Sequence, residues 1–284
     1  MIQITPKEFN LLASLIEREF GIHLKPEKAT LLTGRLHKVL DELGFTTFTQ
    51  YYDYLLKDKS STALATLVDK ITTNHTYFMR EAEHFDYFYH TVLPQVKALA
   101  SDKDLRIWCA ASSSGEEPYT LAMLIDDFFE GEKQVWDLKI LATDISEPIL
   151  ETAIAGIYHA EALAALPKHW QVKHFKRLPD GRFAISEAIK SQVIFRKFNL
   201  MEDVYPWRKK LHVVFCRNVM IYFDAPIKDK VVQRIYNCLH DGGYLFVGHS
   251  ESVNRNVIPL HYVKPAVYRK GAEHGSQNSR AGIR

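Results

Sequence analysis

The segment from Arg106 to Pro118 constrains the fold of this chain more than any other part of its sequence. Leu105 to Cys109 is apolar and short, as a buried strand requires, and a run of small residues follows it. Glu116 and Glu117 then begin a helix that the apolar spacing over Leu121–Phe128 predicts. A strand, a small-residue turn and a helix start let a ligand approach the backbone closely at the edge of a parallel sheet.

The charge of this turn limits which ligand it suits. Two carboxylates at a helix N-terminus interact favourably with the helix dipole but repel phosphate. A nucleotide pyrophosphate is therefore a poor ligand here, whereas a ligand with a cationic amine or sulfonium is a better one. This argument points to S-adenosylmethionine.

Composition indicates an ordinary globular protein. The chain has 284 residues, 46% of them hydrophobic and 25% charged, with a net charge of +2. That charge is too small to argue for nucleic acid, and no apolar run is long enough to span a bilayer. The first residues show no secretory pattern, so we expect a cytoplasmic protein without membrane insertion. The cysteines lack metal-ligand spacing, and we expect Cys109 and Cys216 to be buried thiols.

The chain has two regions with different patterns of apolar residues. Residues 1–75 show apolar stripes of helical period, with Gly21 and Gly44 as stops, and predict an all-α domain. Residues 76–270 alternate strands with helices, which predicts a mostly parallel α/β sheet. The block 156–191 breaks the alternation and carries a Pro-Asp-Gly turn signal, so we interpret it as an inserted β subdomain. Residues 271–284 are polar and aperiodic and predict a disordered tail.

Polar residues follow four predicted strands at the edge where open α/β sheets bind ligands. Plainer interpretations remain open for each: a helix-start carboxylate, a helix cap, a turn residue or an ion-pair partner. Their joint placement favours a ligand site. In strand order the residues are Glu116, then Asp144, then Asn199 with Leu200, then Arg217 with Asn218.

A further polar segment, T-T-N-H-T-Y-F-M-R, lies at the predicted domain junction. Helix caps account for one or two of its hydrogen-bonding residues, but not for Asn74, Thr76 and Arg80 together. We expect this junction to fold over the ligand pocket.

These motifs resemble one known family. The segments T-T-N-H-T-Y-F-M-R, A-S-S-S-G-E-E-P-Y, A-T-D-I-S, F-N-L, F-C-R-N-V-M-I-Y-F-D and G-H-S-E-S occur in this order and are similar to those of CheR chemotaxis receptor methyltransferases. The resemblance spans roughly Ile4 to Tyr268. It implies a helical domain joined to a class I, Rossmann-like methyltransferase domain with a β insertion. It also implies S-adenosylmethionine as methyl donor, S-adenosylhomocysteine as product, and no metal.

The resemblance assigns roles to individual residues. The reaction it implies forms methyl esters on glutamates of a chemoreceptor's cytoplasmic helical bundle, and 1–75 is expected to contact that receptor. Some relatives use a longer, glycine-rich loop to bind a receptor's C-terminal pentapeptide tether. The short L-P-D-G-R turn predicts independence from a tether. The implied cofactor contacts are Asn74, Thr76, Arg80, Glu116, Asp144, Asn199, Leu200, Arg217 and Asn218.

Two groups of residues are candidates for handling the acceptor protein. Tyr222 and Arg80 are candidates for orienting the acceptor carboxylate, although an aromatic packed under the site explains Tyr222 equally well. Lys28, Arg35 and Lys38 share one face of the second predicted helix and are candidates for receptor docking. A solvated basic face is the alternative.

Three other functions fit parts of the sequence. A methyltransferase acting on RNA or a small molecule is one, although near-neutral charge and the lack of an aromatic-basic stripe argue against RNA. A non-catalytic protein that only binds the cofactor is another. A serine hydrolase is suggested by Gly248–Ser252, which lacks the closing glycine of a nucleophile elbow.

Overall fold

The computed structural model describes residues 2–60 and 62–271. The predicted disordered tail, 271–284, lies outside the described residues except for Gly271. The predicted fold class is confirmed: an all-α unit precedes an α/β unit with a main sheet and a small antiparallel sheet.

The described part of the first 71 residues is helical. Thr5 caps the first helix through a capping box with Glu8, and Gly21 ends it in the left-handed conformation that glycine favours. Apolar residues at helical spacing, such as Leu12, Leu36 and Leu67, are buried between the helices. The elements are α1 (Pro6–Phe20), a 3-10 turn (Pro26–Lys28), α2 (Ala29–Glu42), α3 (Phe48–Lys57) and α4 (Thr62–Ile71).

Helical structure continues after the junction, in a region to which the sequence analysis assigned no element. Two short α-helices, α5 (Ala82–Tyr87) and α6 (Leu93–Leu99), flank a turn of π-helix at Phe88–Val92. Aromatic residues dominate here and pack on the main sheet, as Phe88 does against Phe215. This packing, rather than a regular apolar stripe, stabilises the segment.

Seven strands of the described chain form the main sheet, in the order β6-β2-β1-β7-β8-β10-β9. The first five in this order are parallel, and β9 and β10 form an antiparallel hairpin at the end of the sheet. The strands are β1 (Ile107–Ala110), β2 (Ile140–Asp144), β6 (Val193–Lys197), β7 (Leu211–Cys216), β8 (Leu239–Phe246), β9 (Leu260–Lys264) and β10 (Val267–Lys270).

Alternate residues of the strands face two apolar layers, as a sheet covered on both faces requires. In β1, Cys109 packs towards α7 (Glu116–Phe128) and α8 (Glu147–Ala155), whereas Trp108 packs towards α11 (Ala225–Cys238). Cys109 and Cys216 are buried free thiols, as predicted. Within the described residues, no helix combines the length and apolarity needed to cross a bilayer.

The inserted subdomain forms a separate three-stranded antiparallel sheet in the order β3-β5-β4. The predicted turn closes its hairpin: the Leu178 amide donates to the Arg182 carbonyl at 2.8 Å. Tyr158 ties this sheet to the loop after β1, because its hydroxyl donates to the Ser114 carbonyl at 2.8 Å. The elements are β3 (Ile157–Tyr158), α9 (Lys168–His174), β4 (Phe175–Arg177), β5 (Phe183–Ile185) and α10 (Glu187–Lys190).

Candidate active site

The carboxyl ends of β1, β2 and β7 meet beside the domain junction, where a cavity of about 1030 Å³, counted with its open mouth, is found. Phe20, Ile22 and Ile71 of the helical unit line its opposite side. The mixture of apolar and polar groups that line it suits a small organic ligand such as a nucleoside. Most of the residues predicted from sequence line this cavity: Asn74, Thr76, Arg80, Asp144, Asn199, Leu200, Arg217, Asn218 and Tyr222.

Asp144 lies at the end of β2 with both carboxylate oxygens engaged by backbone. The Ser113 amide donates to Oδ2 at 2.9 Å and the Ser146 amide to Oδ1 at 3.1 Å. Burial raises the pKa of Asp144, and the hydrogen bonds oppose that rise. Each oxygen keeps a lone pair, so the carboxylate can accept from two neighbouring hydroxyls such as those of a ribose.

The two carboxylates that begin α7 have different surroundings. Glu116 is buried, accepts from the Ser114 hydroxyl at 2.7 Å, and is not among the residues that line the cavity. Burial raises its pKa. Glu117, which the sequence analysis placed at the helix start but not among the candidate contacts, does line the cavity. Glu117 thus lies at the cavity wall, whereas Glu116 lies one residue earlier at the start of the same helix.

Arg217 is the centre of a buried charge cluster. Its side chain is 1% exposed and forms ion pairs with Glu117 and with Glu81, the latter at 3.1 Å. It also donates to the Arg80 carbonyl, and its guanidinium lies 5.2 Å from the Phe85 ring centre. Burial opposes the charged form of Arg217, but the two carboxylates outweigh it and raise its pKa. Arg217 thus holds α7 and the junction together.

Arg80, at the junction, has fewer protein partners than Arg217. Its Nη1 donates to the His75 carbonyl at 2.8 Å, and its guanidinium lies 5.8 Å from the Tyr77 ring centre. Among the described residues it forms no ion pair with a carboxylate. Arg80 is therefore a half-buried cation at the cavity that retains donors for an anionic group.

The loop after β7 is held by a carboxylate that the sequence analysis did not assign. Glu251 is buried and accepts from the amides of Asn218 at 2.9 Å, Ile221 at 3.1 Å and Gly248 at 2.6 Å. Asn218 has a φ of 57°, and a Cβ at Gly248 would lie 3.0 Å from its amide nitrogen. The two segments lie so close together that residue 248 must be glycine. Tyr222, in the loop that Glu251 holds, lines the cavity.

The helical unit is joined to this edge by backbone and amide contacts. The Asn199 side chain donates to the Glu19 carbonyl at 2.8 Å and accepts from the Met201 amide at 3.0 Å. The His23 amide donates to the Tyr222 carbonyl at 2.8 Å. Both ends of the Asn199 amide therefore have a protein partner in this structure, and the residue also lines the cavity. Leu200 and Phe198 supply apolar surface beside it.

Comparison with known proteins identifies the family. A family model described as the CheR methyltransferase S-adenosylmethionine-binding domain matches residues 74–268. A second, described as the CheR methyltransferase all-alpha domain, matches residues 7–72. The chain belongs to the CheR methyltransferase family.

Relatives of this CheR chain match it over most of its length. The chemotaxis protein methyltransferase of Borreliella burgdorferi is 41% identical over 95% of this chain and 96% of its own length. A probable chemotaxis protein methyltransferase of Rhizobium etli is 37% identical over 84% and 90%, respectively. Chemotaxis protein methyltransferase 1 of Pseudomonas aeruginosa is 36% identical over 90% and 93%. This CheR chain is an S-adenosylmethionine-dependent methyltransferase.

Of the three residues in the basic face predicted for the second helix, only the two lysines are exposed. Arg35 does not project freely, because it donates to the carbonyls of Ile71 and Thr72 and to the Thr73 hydroxyl at 2.8 Å. It binds the end of α4 and the start of the junction, and this differs from its predicted docking role. Lys28 and Lys38 are exposed, and Lys38 lies 3.7 Å from Glu42.

The sequence offered partial signals for the CheR residues that it did not assign. Glu81 directly follows the Arg80 motif, and Glu251 lies within the G-H-S-E-S segment that suggested a hydrolase. Ser250, the candidate nucleophile of that segment, is exposed and makes no side-chain hydrogen bond to another described residue. The neighbouring Glu251 carboxylate, which accepts hydrogen bonds from three backbone amides, is the structurally important group of the segment.

Proposed function

We propose that this chain methylates glutamate side chains in the cytoplasmic helical domains of chemoreceptors and forms methyl esters. One observation carries the proposal: Arg80, which pairs with no carboxylate among the described residues, and Tyr222 lie at a cavity whose other wall is fixed by buried carboxylate contacts. The printed names of the relatives, chemotaxis protein methyltransferases, agree with it. Since receptor signalling domains of this kind face the cytoplasm, we place the reaction there.

The residues of the cavity fit S-adenosylmethionine. Asp144 is suited to accept from ribose hydroxyls, and Leu200 is suited to pack on adenine. Glu117 provides negative charge for the cationic amino-acid end, and Asn74 and Thr76 supply hydrogen-bonding groups from the junction. When bound, this donor supplies an electrophilic methyl group on a sulfonium. The product is S-adenosylhomocysteine.

The side chains that we assign to the acceptor act by orientation. A glutamate with an ordinary pKa of about 4.3 is ionised at neutral pH, so no general base is needed. Arg80 pairs with the acceptor carboxylate, and the Tyr222 hydroxyl donates to it. Correct alignment can contribute roughly 7–11 kcal/mol, so these two residues act on turnover more than on cofactor affinity.

Receptor recognition is assigned to the helical unit. We propose that Lys28 and Lys38 contact the acidic receptor bundle, without Arg35, and that no pentapeptide tether is needed because the inserted hairpin turn is short. Charge reversal at Lys28 and Lys38 should raise the apparent Michaelis constant for receptor but leave cofactor affinity unchanged. Measurable binding of a tether pentapeptide alone would contradict tether independence.

The decisive experiment incubates the purified chain with methyl-labelled S-adenosylmethionine and receptor cytoplasmic fragments, then treats the product with mild base. An ester releases its label, whereas an N-methyl product on RNA, peptide or small molecule retains it. A chain that only binds the cofactor transfers no label. Tyr222→Phe is the matched variant for acceptor orientation, and unchanged turnover would remove Tyr222 from the site.

A further inference from the structure

His84 is an unexplained buried residue beside the site. Its side chain is 0% exposed, yet neither Nδ1 nor Nε2 has a hydrogen-bond partner among the described residues. Buried polar groups are normally paired, and an orphan requires an explanation such as an absent ion. Methyl transfer as proposed above does not use this imidazole.

The ring lies among other groups that can bind a metal. His84 Nδ1 is 3.5 Å from Glu81 Oε2, and His249 Nε2 is 3.9 Å from that same oxygen. His249 Nε2 is also 3.1 Å from Glu83 Oε1. Ligands at about 2.0–2.1 Å from a tetrahedral Zn²⁺ lie about 3.3–3.4 Å from one another. The observed separations bracket that value.

The charges of the surroundings favour a cation. Glu81 and Glu117 are two carboxylates paired with one guanidinium, that of Arg217, and Glu83 lies beside His249. The His84 ring is fully buried, and both of its nitrogens lack a hydrogen-bond partner among the described residues. A buried imidazole without a partner, next to carboxylates, is a suitable ligand for a divalent transition-metal ion.

We propose that Glu81, His84 and His249 form a Zn²⁺ site that joins α5 to the loop after β8, with Glu83 as an outer partner of His249. Two imidazoles and one carboxylate are an ordinary set of protein ligands for this ion. Arg217 and Asn218 both donate to Glu81, and such outer contacts orient ligating carboxylates. Because Arg217 and Asn218 also line the cavity, occupancy of this site is linked to the shape of the cavity wall.

A second cluster in the chain provides an internal comparison. Asp126, Asp127 and His174 also lie close enough to hold a metal. Lys133 pairs with Asp126, and Lys173 pairs with both aspartates at 3.0 and 2.7 Å. Ammonium groups already supply the cations there, so we expect no Zn²⁺ at that cluster.

The test measures metal content of the untagged chain without any methyl donor, so its outcome is independent of transfer activity. The protein is stripped with chelator, dialysed against Zn²⁺, and analysed for bound metal. We expect one equivalent in the wild type and none in His249→Ala, whose side chain is partly exposed. His90→Ala, which removes an exposed histidine outside the cluster, should retain the full equivalent.

Two further measurements identify the ligands. Co²⁺ in place of Zn²⁺ should give the visible absorption of a tetrahedral site in the wild type and in His90→Ala, but not in His249→Ala. Glu83→Gln should weaken Zn²⁺ binding by about tenfold, because His249 loses the carboxylate that lies beside its ring. A wild type that binds no Zn²⁺, or a His249→Ala variant that binds it equally well, would overturn the proposal. Far-ultraviolet circular dichroism checks that each variant is folded.

Discussion

The two walls of the cavity differ in how far their polar groups are already paired. In the strand-end wall, the Arg217 side chain is 1% exposed and bound to Glu81 and Glu117. In the junction wall, Arg80 is half-buried and donates to a single backbone carbonyl. The two arginines of this cavity therefore differ in their charge pairing. The charge of Arg217 is neutralised by carboxylates, whereas the charge of Arg80 can still pair with a ligand.

This contrast separates two tasks that a methyltransferase must perform. A wall whose groups are held by protein contacts before any ligand arrives is preorganised, and it fixes the cofactor at little further entropic cost. A charged group that forms no ion pair with the protein can instead pair with the charge that the acceptor brings. We therefore expect substitutions in the first wall to change folding and cofactor affinity, and those in the second to change turnover.

The largest effect is expected for Arg217→Met. Removing the guanidinium leaves Glu81 and Glu117 without their counter-charge in a buried place, which typically costs about 3–5 kcal/mol. Urea unfolding monitored by circular dichroism measures the change. A loss below about 1 kcal/mol would show that water or another cation replaces the arginine, and that this wall is less preorganised than its contacts indicate.

Arg80→Met is the matched substitution in the other wall. We expect the free energy of unfolding to change by at most about 0.5 kcal/mol, since no ion pair is broken. Turnover on receptor fragments should fall by about 10²-fold because the acceptor carboxylate loses its orienting partner. Cofactor affinity by calorimetry is the control. An equal loss of cofactor affinity would place Arg80 with the preorganised wall.

Glu251→Gln tests how the loop that carries Tyr222 is positioned. An amide nitrogen cannot accept, so at least one of the amides of Asn218, Ile221 and Gly248 loses its acceptor, at a cost of about 1–3 kcal/mol. If this loop acts through Tyr222, the double variant Glu251→Gln/Tyr222→Phe should lose less turnover than the product of the losses in the two single variants. Exposed Ser252→Ala should change neither stability nor turnover. Strictly multiplicative effects would limit Glu251 to a structural role.

The sequence was sufficient to predict which edge of the sheet carries the site. Asp144 follows an apolar strand, and the carboxyl ends of parallel strands must meet, so its position depends only on local pattern and topology. Glu116 and Glu117 show the limit of that reasoning. Neighbouring helix residues point about 100° apart, and which one faces the cavity depends on how α7 packs on the sheet.

Partners distant in sequence decide what each predicted side chain can do. Arg35 is part of a basic helix face in the sequence but contacts the end of α4, 36 residues away. Asn199 resembles a ligand residue but binds the Glu19 carbonyl, 180 residues away. Periodicity and motif spacing contain no information about such contacts. The side chains that the structure leaves uncommitted, Arg80 above all, are distinguishable only once those contacts are known.

The smallest effect is expected for Asp144→Asn, and it is a change in cofactor affinity that depends on pH. At neutral pH the ionised Asp144 should bind the cofactor about tenfold more tightly than the amide, because a charged acceptor strengthens the bonds from the ribose hydroxyls. Burial raises the pKa of Asp144, so protonation begins at a higher pH than for an exposed aspartate. Wild-type affinity should therefore fall towards that of the variant as the pH is lowered from neutral, and at a higher pH than for an exposed aspartate.

Stability should respond to the same titration in the opposite direction. A raised pKa in the folded protein means that the protonated carboxyl stabilises the fold; this contribution is present below the unfolded pKa and is lost as pH rises through the folded pKa. Wild type should thus gain stability relative to Asp144→Asn on acidification, while it loses cofactor affinity. Burial also raises the pKa values of Glu116 and Glu251, but both residues remain in the variant, so the difference isolates Asp144. Parallel pH profiles of the two proteins in calorimetry and urea unfolding would contradict a role for Asp144 as an ionised acceptor in the preorganised wall.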